Sequence, residues 1–135
     1  MLISDKQFVL IQFLVARNKR IDLPCIAFTS PSSISRGLMF VERMSRSVGA
    51  FFVFEKSGYH SAWMKNTGVP LTIAWISEQG LVTEIVNGVP YDQTSIGGNI
   101  SSKYMIEVTR NWFEKNGIIK GTRIKLSRLK ESGEF

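Results

Sequence analysis

The chain has 135 residues, of which 44% are hydrophobic and 11% aromatic, and this is enough apolar surface for one globular domain spanning 1–135. Seventeen basic residues against eleven acidic ones give a net charge of +6, which permits an anionic partner without requiring one. The single cysteine, Cys25, excludes a disulfide within the chain. No apolar run approaches the roughly 20 residues needed to cross a membrane, and we expect a cytoplasmic protein.

The first apolar segment, Phe8 to Ala16, has the length of a signal-peptide core, but charged residues and no small-residue cleavage site follow it. A strand from Lys6 to Ala16 fits this pattern better. Asn18 is a good turn residue, so this strand is predicted to form a hairpin with a second strand from Arg20 to Phe28.

Two further signals follow in chain order. Ser30-Pro31 is typical of a helix N-cap and first helical position, which predicts a short helix immediately after it. Phe51 to Phe54 is wholly apolar and lies between Gly49 and a predicted turn at Ser57-Gly58. Such a run predicts a strand that is buried on both faces.

The second half of the chain contains the clearest hairpin. Leu71–Ser77 and Leu81–Val86 are predicted strands, and Glu78-Gln79-Gly80 supplies the turn between them. The other predicted elements are an exposed loop over 92–102, a strand over 104–108, a helix capped by Thr109 that ends before Gly117, a last strand over 118–126 and a frayed tail over 130–135. Seven short strands and two short helices predict a mainly β (α+β) fold, a compact antiparallel β-barrel-like domain with two short helices.

No cofactor or metal is predicted. With one cysteine and one histidine, His60, a zinc site is not expected, and scattered methionines do not establish a soft-metal site. Gly97-Gly98 does not match a phosphate-binding loop. Cys25 lies among apolar residues, which favours a buried, unreactive thiol over a catalytic pair with His60.

Three segments in this order resemble the DUF192 family of uncharacterised proteins: RGLMFVERM with GAFFVFE, then WMKNTGVPLTIAWI, then YMIEV with NWFEKNGIIKGTRI. The resemblance covers about residues 29–126. It implies a compact, mostly antiparallel β-barrel-like domain with two short helices, and it implies no activity. Thr72 departs from the family pattern, which commonly has an acidic residue after Pro-Leu, and this weakens acid–base chemistry more than binding because a threonine is no carboxylate base.

The WMKNT segment, Trp63 to Thr67, is the candidate functional segment. Its aromatic, cationic, amide and hydroxyl groups are suited to a small pocket with an apolar wall and polar anchors, in which Lys65 attracts an anion and Asn66 orients it. The alternative is a turn stabilised by Asn66 and Thr67. The residues of the candidate ligand-binding site, all at positions that match the family motifs, are Arg36, Met39, Trp63, Met64, Lys65, Asn66, Thr67 and Glu107.

Three functions remain open on the sequence alone. The leading one is a non-enzymatic module that binds a small anionic ligand or a protein segment, with no catalytic residues assigned. The second is a small enzyme that uses Lys65 with Arg36 or Glu107, although these two charged residues are also suited to a salt bridge. The third is non-specific nucleic-acid binding through basic residues near Arg20 and in the region from Lys120 to Lys130.

Overall fold

Residues 2–128 are described by a computed structural model that contains one seven-stranded curled sheet. The predicted frayed tail, 130–135, lies outside the described residues. The elements in chain order are β1 (Phe8–Ala16), β2 (Lys19–Phe28), α1 (Pro31–Arg36), β3 (Gly49–Gly58), β4 (Leu71–Ile76), β5 (Val82–Gly88), β6 (Ser102–Thr109), α2 (Trp112–Lys115) and β7 (Arg123–Arg128). No helix within residues 2–128 is long and apolar enough to span a membrane.

The strand order is β5-β4-β6-β3-β2-β1-β7. All neighbouring strands are antiparallel except β2 and β3, which run parallel. The two edges of the sheet approach each other at one end, where Leu81 forms an isolated bridge with Arg123 and Ile124 donates a backbone hydrogen bond to the Gly80 carbonyl at 2.8 Å. The predicted mainly β, barrel-like fold with two short helices is therefore confirmed, with one parallel pair as the exception.

Alternation along the strands divides the buried residues into two clusters on opposite faces of the sheet. The inner cluster receives side chains from β1 to β6 and from α2, so it fills the inside of the curl; Phe13, Phe51, Ile106 and Phe113 belong to it. The outer cluster lies on the central strands and is covered by α1 and by the 62–69 segment. Its buried members include Phe28, Phe52, Phe54, Met64, Trp75 and Met105.

The first hairpin confirms its prediction. Phe8 pairs with Ile26 and Leu14 with Arg20, and Asn18 adopts a left-handed conformation, with φ of 60°, in the turn between them. Asparagine tolerates this region of φ/ψ space better than most residues do. Ahead of the hairpin, the Asp5 carboxylate accepts hydrogen bonds from Thr29 N at 2.7 Å and Ser33 Oγ at 2.7 Å, which lowers the Asp5 pKa to about 2 and ties the N-terminus to the start of α1.

Three predicted boundaries are wrong. Ser57-Gly58 is not a turn, because β3 continues through Gly58, which pairs with Ser102. The last strand begins at Arg123 rather than at residue 118, since Thr122 N bonds to the Ile119 carbonyl and closes a turn. The N-cap of α2 is Asn111, in a left-handed conformation with φ of 68°, and not Thr109.

The predicted loop over 92–102 is exposed at its start but anchored further along. Ile96 exchanges two backbone hydrogen bonds with Ala62, at 2.8 and 2.9 Å. Gly97 lies directly against the Trp75 ring, where a side chain would collide with it. The Trp75 indole in turn donates to the His60 carbonyl at 2.6 Å. This anchored segment closes one side of the outer cluster.

Candidate ligand-binding site

Glu107 places a carboxyl group in the middle of the outer cluster. On β6, Ile106 and Val108 point into the inner cluster, so Glu107 projects from the opposite face, between Ala50 of β3 and Ile73 of β4. The side chain is only 6% exposed. Because burial penalises its charged form, the pKa of Glu107 rises to about 8, and the group is mostly a neutral carboxylic acid at pH 7.

No residue within 2–128 donates a hydrogen bond to the Glu107 carboxyl group or forms an ion pair with it. The Glu107 oxygens are not fully enclosed, since the one fully enclosed side-chain polar atom without a partner among the described residues is Ser102 Oγ. The carboxyl group therefore opens onto the cavity it borders, where a bound molecule can hydrogen-bond to it. Arg36 and Glu107 were suited to a salt bridge, but they do not form one.

The Glu107 carboxyl group borders a cavity of about 190 Å³ that lies between α1 and the 61–67 segment. Most of the wall is apolar or aromatic, and the side chains that form this part of it are Ile34, Leu38, Phe52, Phe54, Trp63 and Met105. Arg36, Met39, Met64 and Thr67 also line the cavity. An apolar chamber with a few polar groups is the usual form of a small-molecule site.

Local sequence signals position α1 over this cavity. Ser30 caps the helix by accepting a hydrogen bond from Ser33 N, and Pro31 occupies its first turn. Gly37 ends the helix with φ of 50°, and a side chain there would come within 3.7 Å of the Phe52 ring. Because glycine tolerates this positive φ, the chain can turn out of α1 beside Phe52, a residue of the cavity wall. Arg36, exposed in the last turn, holds its guanidinium 5.5 Å from the centre of the Phe40 ring.

The residues 64–67 form a hydrogen-bonded turn. Thr67 N donates to the Met64 carbonyl at 3.1 Å, Asn66 has φ of 53°, and Thr67 Oγ1 donates to the Lys65 carbonyl at 2.9 Å. The Asn66 carbonyl accepts a hydrogen bond from Phe40 N at 2.8 Å. The Thr67 hydroxyl group thus stabilises the turn that was the alternative interpretation of this segment, and Asn66 contributes its left-handed backbone conformation.

The structure brings together six of the eight sequence-predicted site residues and separates two. Lys65 and Asn66 do not line the cavity. The Lys65 ammonium lies 5.1 Å from the centre of the Trp63 ring, and Asn66 borders a neighbouring groove with Phe40 and Tyr91. The residues that do line the cavity are Arg36, Met39, Trp63, Met64, Thr67 and Glu107. The predicted anion site, with Lys65 attracting the anion and Asn66 orienting it, is therefore not part of this chamber.

Sequence reasoning missed most of the apolar wall. Met105, Phe52, Phe54, Ile34 and Leu38 all line the cavity, but each was interpreted as core or not considered. A usable signal existed for Met105, because it stands two residues before Glu107 on a strand and must share its face. The wall residues on α1 offered no comparable signal, because their contact with β6 depends on the tertiary fold.

Thr72 lies on the opposite face of the sheet from Glu107. Its hydroxyl accepts a hydrogen bond from Asn111 N at 3.0 Å and donates one to Asn87 Oδ1 at 2.7 Å. Thr72 therefore fixes the backbone that leads into α2. Its departure from the family pattern does not change the cavity.

Cys25 and His60 are separated by the sheet. Cys25 is fully buried in the inner cluster, and burial raises the pKa of its thiol well above the usual range. The His60 ring stacks on Phe54, a residue of the outer cluster, with 3.8 Å between the ring centres. A catalytic pair is thus excluded by geometry. Among the described residues, no group of three His, Cys, Asp or Glu side chains is arranged to hold a metal ion.

The basic residues of the first hairpin meet those of β7 on one surface. Arg20 and Arg123 flank Leu14 from the two neighbouring strands, and Lys125 lies opposite Gln12. Asp22 is also on this surface and accepts a hydrogen bond from Gln12 Nε2 at 3.2 Å. The patch is therefore basic but interrupted by an acidic group.

No curated protein matches this chain. A crystal structure from Sinorhizobium meliloti 1021, named as a proposed transcription regulator, is 25% identical, with a TM-score of 0.85 over 91% of this chain and 96% of that one. A protein of unknown function from Novosphingobium aromaticivorans DSM 12444 is 23% identical, with a TM-score of 0.82 over 87% of this chain and 84% of that one; this second likeness concerns the fold alone.

The family model for DUF192, described as "Uncharacterized ACR, COG1430", matches residues 15–126. The match begins earlier than the expected start near residue 29, so it includes the first hairpin turn and all of β2. Since the matched region is most of the chain, the protein belongs to the DUF192 family.

Proposed function

We propose that this protein is a non-enzymatic binding module that holds a small ligand in the cavity between α1 and the 61–67 segment. The observation that carries the proposal is the Glu107 carboxyl group, buried at the cavity wall without a hydrogen-bond donor among the described residues. A ligand that satisfies this group while filling an apolar chamber gains from both interactions.

The charge of the ligand is a separate question. An anionic ligand was expected from Lys65, but that ammonium group lies outside the cavity. Arg36 is the one positively charged residue among the described residues lining the chamber, and it is exposed at the rim. The geometry therefore supports ligand binding more strongly than it supports an anionic ligand.

Catalysis by Lys65 with Arg36 or Glu107 receives less support. Such an enzyme requires these groups within hydrogen-bonding reach of one reacting atom. Lys65 does not line the cavity, and no hydrogen bond or ion pair joins the three side chains to one another within residues 2–128. A carboxyl pKa near 8 is suited to proton transfer, but none of the described hydroxyl groups that line the chamber, on Ser35, Ser61 and Thr67, is hydrogen-bonded to Glu107 as an activated nucleophile would be.

A thermal-shift screen of small metabolites tests the binding proposal. At 100 times its Kd, a ligand stabilises the folded state by about 2.7 kcal/mol, which raises Tm by several degrees. Met39→Trp, which fills the cavity, is expected to abolish the shift. Lys65→Ala is the matched control and is expected to retain it. A shift lost in Lys65→Ala but kept in Met39→Trp would place the site elsewhere.

Non-specific nucleic-acid binding is the second candidate, favoured by the patch of Arg20, Arg123 and Lys125 and by the name of one structural neighbour. Phosphate contacts make such binding strongly dependent on salt. In gel shifts at low salt, the double change Arg20→Ala and Arg123→Ala is expected to weaken binding severalfold, whereas Arg43→Ala, an exposed residue far along the chain from this patch, leaves it unchanged. The absence of any complex at low salt excludes this candidate.

A further inference from the structure

The chemistry of the cavity constrains the ligand further, and this inference rests on the binding function proposed above. The one polar side chain at the cavity that is buried, unpartnered among the described residues and able to carry charge is Glu107. Ser35 and Ser61, which also border the chamber, are exposed to solvent. A bound compound therefore interacts most strongly at its polar end with a carboxyl group.

The chain itself supplies no cation to this carboxyl group. Arg36 lines the cavity, but its guanidinium lies over the Phe40 ring at 5.5 Å and forms no ion pair with any residue in 2–128. Lys65 lies over the Trp63 ring, 5.1 Å from its centre, and does not line the cavity. Among the described residues, no cation is therefore paired with the Glu107 carboxyl group.

The walls of the chamber are suited to an organic cation. Phe52, Phe54 and Trp63 line the chamber, and aromatic rings attract ammonium groups through their faces. The His60 ring already stacks on Phe54 and the Lys65 ammonium lies over Trp63, so the rings contribute less than the Glu107 carboxyl group. Met39 and Met105 add polarisable, adaptable surface for an apolar body. A volume of about 190 Å³ is smaller than the roughly 300–1,000 Å³ of a drug-sized pocket, so the fitting compound is a small one.

A carboxylate ligand depends on pH in the opposite way from an amine. It can bind only while Glu107 stays protonated and donates a hydrogen bond to it, because two carboxylates side by side in the cavity would repel each other, so its binding weakens as pH rises. A neutral alcohol can hydrogen-bond to Glu107 but gains neither a charge pair nor an interaction of a cation with the rings. The three ligand classes therefore differ in expected affinity.

We propose that the cavity binds a small primary amine, an ammonium group on a compact apolar body, and that the ammonium pairs with the Glu107 carboxylate. The amine enters as its cation. Glu107, if protonated in the empty protein, releases its proton to the solvent as the pair forms. Binding of the amine is thus coupled to deprotonation of one carboxyl group. The affinity for the amine therefore increases as pH rises towards the pKa of Glu107 in the protein without a bound amine.

The test uses three series of probes, amines, alcohols and carboxylates, in which the same three apolar bodies recur. Butylamine, cyclohexylmethylamine and benzylamine are compared with the corresponding alcohols and carboxylates by ¹H–¹⁵N NMR titration of the full chain. We expect the best amine to bind at least about tenfold more tightly than its alcohol and its carboxylate. The shifted resonances should belong to residues that line the cavity, such as Leu38 and Met105.

Glu107→Gln keeps the size of the side chain and removes its charge, so it should reduce amine binding at least about tenfold. Glu55→Gln, at an exposed position on β3, is the matched control and should bind amines as the unaltered protein does. Titration calorimetry of the unaltered protein in buffers of different ionisation enthalpy should detect release of a substantial fraction of a proton at pH 7. Because it needs no variant, this measurement tests the pairing of the amine with a carboxyl group even if Glu107→Gln does not fold.

The outcomes separate the two proposals. Amine preference that depends on Glu107, together with proton release, supports the cation assignment. Alcohols or carboxylates that bind in the cavity as tightly as amines overturn this assignment and leave the binding function intact. Amine binding that is indifferent to Glu107→Gln and releases no proton also overturns it. If no probe of any series shifts a cavity resonance, the cation assignment falls, and the thermal-shift screen with Met39→Trp decides the binding function separately.

Discussion

Glu107→Gln is expected to raise the melting temperature of the protein at about pH 9 and to change it little at about pH 5. The pKa of Glu107 is raised from 4.5 to about 8 in the folded state because burial penalises the charged form. Between these two values the folded state binds more protons than the unfolded state does. The free energy of unfolding therefore falls as pH rises through this window, and an uncharged glutamine removes the fall.

The expected effect is large. Each unit of pKa difference is equivalent to about 1.4 kcal/mol, so full ionisation of Glu107 costs on the order of 5 kcal/mol of a total stability of roughly 5–15 kcal/mol. This corresponds to a difference in Tm of roughly 15 °C for a domain of this size. Melting curves of both proteins, recorded by circular dichroism from about pH 5 to 9, measure it.

The matched control is Glu55→Gln, which changes an exposed carboxyl group on β3, the strand next to β6. Its melting temperature should follow that of the unaltered protein across the whole range. Parallel curves for Glu107→Gln and the unaltered protein would show that the carboxyl group has a partner or is hydrated. That result would remove the main support for the ligand-binding site.

Gly97→Ala is expected to destabilise the protein by roughly 2–5 kcal/mol. An added methyl group at Gly97 meets the ring of Trp75, which is fully buried in the outer cluster. Overpacking of this kind costs about 1–3 kcal/mol, and the left-handed backbone, with φ of 68°, adds about 1–2 kcal/mol for any residue with a Cβ atom. Urea denaturation at neutral pH, analysed by linear extrapolation, measures the loss.

Gly117→Ala is the control for the backbone contribution. Gly117 has φ of 72°, nearly the same as Gly97, but a side chain there meets nothing within 4 Å. It should cost only the roughly 1–2 kcal/mol of the left-handed conformation. Equal losses in the two variants would mean that the segment around Gly97 moves away from Trp75 without penalty, and that it does not anchor the outer cluster.

Much of the fold could be predicted from local patterns because period-two alternation and turn residues act over short distances. Asn18 and Gly80 marked their hairpin turns correctly, and the Phe51–Phe54 run belongs to a strand that is largely buried on both faces. The parallel pairing of β2 with β3 could not be predicted in this way, because it depends on a connection of about 20 residues. The extension of β3 through Gly58 could not be predicted either, because it depends on a pairing with Ser102, which is distant in the sequence. This pairing outweighs the turn preference of Ser57-Gly58.

The candidate site was predicted in part. Glu107 and Arg36 came from family-like motifs that are far apart in the sequence, and both line the cavity. Lys65 was selected as the cation of the family-like segment from Trp63 to Thr67. Neighbouring residues in a turn point in different directions, however, and Lys65 does not line the cavity. Sequence proximity was a poor guide there, whereas alternation along β6 would have added Met105 to the predicted site.

The parallel pairing of β2 and β3 has a consequence for how this domain can diversify. Two parallel neighbours cannot be joined by a tight turn, so the chain between Phe28 and Gly49 must leave the sheet and return to it. That excursion carries α1, Arg36 and Met39, and it covers the side of the sheet on which Glu107 lies. Substitutions within it can therefore reshape the chamber while every strand pairing is retained.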